Sequence, residues 1–97
     1  MFHVLRIEND SLSPEYQEGD FVLISKIPFF LRRLKPGDVV VFRQIAYGRM
    51  IKRIEKIDQY AELFYVLGDH PDSKDSRHFG PVPCEDLIGK VIWHIRQ

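Results

Sequence analysis

Cysteine is almost missing from this chain: Cys84 is the single one in 97 residues. No internal disulfide can form, so a packed core must hold the fold. Excess charge is missing as well, because 14 basic residues cancel 14 acidic ones. A general nucleic-acid binder carries a basic patch or stripe, and this balance argues against one. No apolar run approaches the ~20 residues that cross a bilayer. No basic segment followed by an apolar one opens the chain, as it would in a secretory leader. The expectation is a cytoplasmic protein, or one peripheral at a membrane, without a transmembrane segment. Repeats, low-complexity stretches and linkers are also missing, which points to one domain over residues 1–97. Apolar residues make up 44% of the chain, enough for one modest core and against disorder.

What is present reads as strand nearly throughout. Phe2–Ile7, Phe21–Ser25, Val39–Phe42, Arg49–Ile57, Leu63–Leu67 and Ile88–Ile95 are apolar or alternating runs separated by turn formers. Their spacing predicts a small all-β domain, a barrel or a sandwich. Two stretches, Pro14–Glu18 and Phe29–Leu34, could be helical for a turn or two.

Three segments carry candidate chemistry. The first, ENDSLSPEYQEGD (Glu8–Asp20), packs Asn9, Asp10, Ser11, Ser13 and Pro14 ahead of a strand. These residues are turn formers; the alternative is that one serine is a nucleophile held on a turn. The second is the strand GRMIKRIEKI (Gly48–Ile57). Alternation puts Met50, Lys52 and Ile54 on one face, and Ile51, Arg53 and Glu55 on the other. A lysine between apolar neighbours either snorkels to solvent or is buried. Burial lowers a lysine pKa toward the ~7–8 of a working general base. Relative to an ordinary lysine near ~10.4, that is ~4 kcal/mol against the ammonium form. The third, LGDHPDSKDSRHFGPVP (Leu67–Pro83), is a long Gly/Asp/Ser/Pro loop, and such loops are often functional. Its Ser73, Asp75 and Arg77 can hydrogen-bond one another and brace a strand.

Together and in order, these segments resemble the S26 serine peptidases. That family includes the bacterial type I signal peptidases and is related to the self-cleaving LexA-type repressors; both use a Ser–Lys dyad. Ser11-Leu12-Ser13-Pro14 resembles the Ser-Met-x-Pro nucleophile box, and Gly19-Asp20 the Gly-Asp after it. Ile51-Lys52-Arg53 resembles the lysine box. Gly68-Asp69, Ser73 to Arg77 and Phe79-Gly80 resemble the last signal-peptidase box, and Val82-Pro83 and Gly89-Lys90 continue it. The resemblance implies Ser11 as nucleophile, Lys52 as general base, and Ser73 as a serine bonded to that lysine. It gives Asp75 and Arg77 supporting roles. It implies a coiled all-β fold, small residues at the cleaved position, and no cofactor.

The chain also departs from the family. Ten residues precede Ser11, where signal peptidases usually carry a membrane helix. The large insert usual between the lysine box and the last box is absent. Leu12 stands for Met, a tolerated swap of similar volume; Glu15 stands for Thr, and His70-Pro71-Asp72 departs from Asn-Arg-Asp-Asn. Small forms of this kind resemble the maturation proteases of nickel superoxide dismutase. Asn9 has two readings: a residue tolerating positive φ in place of glycine, or an amide donor to the oxyanion.

The expected function is leader or signal-peptide removal by a serine endopeptidase. The precursor protein or peptide would bind as an added strand, with Leu12 and Met50 lining its pockets. The alternatives are a self-cleaving regulatory domain and an inactive peptide-binding module. No metal is expected, because His70, His78 and Cys84 fit no zinc spacing. Cys84 reads as a small buried residue. Phe29, Phe30 and Leu31, beside Arg32, Arg33 and Lys35, are read either as a loop capping the core or as a membrane contact.

Overall fold

The computed structural model describes residues 2–8, 16–26, 34–68 and 74–96. Among them seven strands form one antiparallel sheet: β1 (Phe2–Arg6), β2 (Phe21–Ser25), β3 (Val39–Gln44), β4 (Gly48–Asp58), β5 (Leu63–Leu67), β6 (Val82–Pro83) and β7 (Leu87–Ile95). The strand order is β1-β2-β7-β3-β4-β5-β6, so the last strand lies inside the sheet, between β2 and β3. A four-residue helix, α1 (Ser76–Phe79), and a 3-10 turn at Cys84–Asp86 complete the described elements. The domain is all-β, as the alternating pattern predicts.

Val39-Val40-Val41-Phe42 explains why the sheet coils. All four residues are buried, yet alternate residues of a strand point to opposite faces. Val39 and Val41 join Ile7, Val22, Ile24 and Ile51 in one apolar cluster. Val40 and Phe42 join Ile54, Phe64, Val66 and Val82 in another. Both faces of β3 must therefore be covered, which a flat sheet does not do. Phe42 meets Phe64 edge to face, with centroids 5.8 Å apart; truncating so buried an aromatic costs about 3–5 kcal/mol.

The two Gly-Asp pairs build the same turn. Asp20 N–H donates to Gln17 O at 3.0 Å, and Gln17 N–H donates to Asp20 Oδ2 at 3.2 Å. Asp38 N–H donates to Lys35 O at 3.1 Å, and Lys35 N–H to Asp38 Oδ2 at 3.0 Å. Each turn needs a positive φ at its third position, which Gly19 (92°) and Gly37 (96°) supply without strain. Each carboxylate then meets a side chain of β7: Asp20 meets His94 Nε2 at 2.8 Å, and Asp38 meets Lys90 Nζ at 3.3 Å. Gly89 on β7 is required for a different reason. A Cβ there would lie 2.9 Å from the backbone oxygen of Ser25.

The sequence reading needs several corrections. β1 stops at Arg6, because Ile7 exchanges hydrogen bonds with Gly19 and Asp20 instead of continuing the strand ladder. β3, β4 and β7 run one or two residues beyond the expected limits. β6 and α1 were not foreseen. Tyr16–Glu18 are bend and turn rather than helix, while Pro14 and Glu15 lie outside the described residues. Of the Phe29–Leu34 stretch only Leu34 is described, as coil packed against the second cluster. Phe29, Phe30 and Leu31 lie outside the described residues. Among the described residues no helix is long and apolar enough to cross a membrane.

Candidate active site

Lys52 is 2% exposed. Val40 lies directly opposite it on β3, and Phe42 lies opposite Met50. Met50, Lys52 and Ile54 thus share the face of the second cluster, as alternation predicts. Burial excludes the snorkelling alternative. An ammonium is expensive to bury unless it is partnered, and among the described residues no buried side-chain nitrogen or oxygen lacks a hydrogen-bond partner.

Beside Lys52, Arg53 pairs with Leu67 at the end of β5. That end is tied down from the third segment. Val66 N–H donates to Ser76 Oγ at 2.8 Å, and Gly68 N–H donates to Asp75 Oδ2 at 3.0 Å. These two amides continue the edge that β6 covers at Leu63 and Phe64, so the loop acts as a substitute strand. Asp75 also caps α1, accepting from Arg77 N–H at 3.0 Å. The Arg77 guanidinium clasps both carboxylate oxygens, Nε to Oδ1 at 3.0 Å and Nη2 to Oδ2 at 2.8 Å.

Burial pushes the Asp75 carboxyl up. Hydrogen bonds from the Arg77 guanidinium, Gly68 N–H and Arg77 N–H, with the guanidinium charge, outweigh it and bring the pKa to about 2. The same pairing, led by the hydrogen bond to Asp75, raises Arg77 further. Cys84 is half-buried, and burial first, then Glu62, pushes its thiol up, which suits a packing residue rather than a nucleophile.

A cleft of about 50 Å³ lies between the end of β1 and the start of β4. Leu5, Ile7 and Glu8 line one side, and Arg49, Met50 and Ile51 the other. β1 is the terminal strand of the described sheet, and Gly48–Met50 have β3 as their one ladder partner among the described residues. Two strand edges therefore border one cleft. Its walls run on directly into the two candidate boxes: Glu8 precedes Ser11 by three residues, and Met50 precedes Lys52 by two.

Of the site residues expected from sequence, Lys52, Met50, Asp75 and Arg77 are described. Asn9, Ser11, Leu12 and Ser73 lie outside the described residues. Asp75 and Arg77 come together as a brace on β5, and Met50 lines the cleft. Sequence reasoning missed Ser76, which looked like one polar loop residue among many, and the cleft wall Leu5–Ile7, which looked like ordinary strand. It also missed the pairing of Asp20 with His94, where nothing local in the sequence signals a contact between such distant positions.

Comparison with known proteins identifies the family. The chain matches the family described as "Signal peptidase, peptidase S26" over residues 1–56 and 60–95, and it belongs to that family. The interruption at residues 57–59 falls where β4 gives way to the turn before β5. The chain is similar to proteins named "Inactive signal peptidase IA" from Staphylococcus aureus strains Mu50 / ATCC 700699, N315 and COL. Identities are 23%, 23% and 24% over 128 residues, covering 88% of this chain and 74% of each relative. An alignment longer than this 97-residue chain means that the relatives carry residues it lacks.

Proposed function

We propose that this chain is a serine endopeptidase that removes a leader or signal peptide, with Ser11 as nucleophile and Lys52 as general base. The observation that carries this reading is the burial of Lys52 on an apolar face, two residues beyond a cleft wall. A serine hydroxyl needs a base in contact with it, and a buried amine is the kind of group that can serve. Neutral Lys52 accepts the Ser11 proton as Oγ attacks the scissile carbonyl. The tetrahedral intermediate collapses, the C–N bond breaks, and the leaving amine takes that proton. Water then attacks the acyl ester as Lys52 accepts its proton, and the proton returns to Ser11 Oγ as the ester breaks. Ser73 orients the lysine amine. Asn9 serves the turn before Ser11, or offers the intermediate an amide donor. Asp75 and Arg77 hold the β5 end next to the lysine strand.

The substrate binds as an added strand between the end of β1 and the start of β4. Leu12 and Met50 contact its side chains. A cleft of about 50 Å³ suits a small side chain at the cleaved position. The protein works in the cytoplasm or at a membrane surface, which Phe29, Phe30 and Leu31 contact. Exposed Phe2, Val4, Trp93 and Ile95 support the membrane contact. No nucleic acid is involved, and one domain spans residues 1–97.

A second reading is favoured by the names of the relatives: a peptide-binding domain that no longer cleaves. Incubation with a fluorophosphonate probe, read by intact mass, separates the two. One added phosphonyl group, formed with loss of fluoride and absent in Ser11→Ala, supports the peptidase. Binding of a leader peptide with no covalent adduct supports the binding domain.

A further inference from the structure

In the sequence Ser11 lies between Ile7, just past β1, and Asp20, just ahead of β2. The neck of this segment is closed by two backbone bonds, Ile7 N–H to Asp20 O and Gly19 N–H to Ile7 O, each 2.8 Å. Inside the neck, Asp20 is 6% exposed and meets His94 Nε2 at 2.8 Å. A carboxylate only accepts, so this ring nitrogen is the donor. Tyr16 stacks on the His94 ring, with centroids 4.2 Å apart and planes inclined by 18°. Tyr16 also packs against the first apolar cluster. The Asp38 turn shows which part of this is additional. Asp38 makes the same Gly-Asp turn and pairs with Lys90, a partner that has no ring to stack on. At the serine segment, β7 instead presents a flat ring that holds the carboxylate at its edge and the tyrosine on its face.

We propose that His94, with Asp20 and Tyr16, clamps the segment carrying Ser11 to β7, inside the sheet, and so fixes where that serine stands relative to Lys52. This rests on the peptidase reading for its catalytic consequence. The chain between Glu8 and Tyr16 is seven residues long, Asn9–Glu15. Both of its ends are anchored, at Ile7 by the neck and at Tyr16 by the stack. Nucleophile placement is sensitive to such anchoring, because a shift of ~1 Å can cost ~10²-fold in rate. His94 is then a positioning residue, acting from the far end of the chain without touching substrate.

The test uses the full chain with His94→Ala, His94→Gln and Tyr16→Leu. Three measurements are made: the second-order rate of labelling by a fluorophosphonate probe, steady-state kinetics (KM and kcat) on a leader peptide, and hydrogen exchange at the Ile7 and Gly19 amides. His94→Ala is expected to lower labelling and kcat at least tenfold, leave KM within twofold, and expose the Gly19 amide. His94→Gln keeps a side-chain N–H for Asp20, and it should recover most of the labelling rate and the protection. Tyr16→Leu keeps apolar packing without the stack, and should fall between the two. It decides the matter if His94→Ala does not fold. Unchanged labelling and unchanged Gly19 protection in His94→Ala overturn the proposal. So does a His94→Gln variant as slow as alanine with the neck still protected, which would give the ring a chemical part. If the wild type is not labelled, the peptidase reading fails. The clamp is then judged by exchange alone, and retained Gly19 protection in His94→Ala overturns it.

Discussion

The Gly68 amide donates to Asp75 Oδ2 across 3.0 Å, a bond that ties the end of β5 to a loop seven residues further on. The same carboxylate caps α1 and is clasped by Arg77. One side chain therefore satisfies three groups, and its loss leaves them unmet together. Asp75→Ala is expected to cost about 2–4 kcal/mol. In a domain of this size that lowers Tm by roughly 10 °C or more. Arg77→Ala should also lower Tm, by leaving a buried carboxylate without its guanidinium, and should affect turnover less than stability. Thermal denaturation checks both. An unchanged Tm with lost turnover in Arg77→Ala would assign Arg77 to the chemistry instead.

The same carboxylate sets an acid limit on stability. Its folded pKa of about 2 lies below the ordinary value of 3.8, so the native state favours the ionised form. The contribution is present in full above pH ~4 and is lost as pH falls toward 2; a shift of this size is worth about 2 kcal/mol. Denaturant unfolding at pH 5 and at pH 2 should differ by more in the wild type than in Asp75→Asn. Equal differences in the two proteins would place the acid sensitivity elsewhere.

Lys52→Met keeps the length of the side chain and removes its charge. With Val40, Met50 and Ile54 around it, methionine should fold, with a loss of no more than about 1–3 kcal/mol from the hydrogen-bond partner left unmet. The variant should be inert toward an acylating probe. A variant that fails to fold would mean that the lysine is there for structure.

Much of this was legible in the sequence because β-strand alternation is strict. The faces of Met50–Ile54 follow from a period of two and from which residues are apolar. Phe21–Ser25 and Leu63–Leu67 have the expected limits because turn formers flank compact apolar runs. The two-residue β6 has no periodicity to read, and α1 exists because Asp75 caps a single turn that no propensity would favour. Position 94 looked like one of four histidines without context. Its meaning comes from β7 being inserted between β2 and β3, a feature of topology rather than of local pattern.

Trp93 is the only tryptophan in the chain and is 66% exposed. It lies in one row with Leu23 and Val4 across β7, β2 and β1. If this face meets a membrane, its emission should shift to the blue and resist acrylamide when vesicles containing anionic lipid are added. Tryptophan seats well at such an interface. Unchanged emission at saturating lipid would remove the membrane contact from the account.

The central claim is that Ser11 and Lys52 act as one catalytic pair. The most direct measurement is intact-mass detection of covalent labelling by a fluorophosphonate, with the site mapped by peptide sequencing, in wild type, Ser11→Ala and Lys52→Ala. The account requires a single adduct on Ser11 in the wild type and none in Ser11→Ala. Labelling in a folded Lys52→Ala should be at least a hundredfold slower. A wild type that stays unlabelled while binding a leader peptide, or a Lys52→Ala labelled at the wild-type rate, would contradict it.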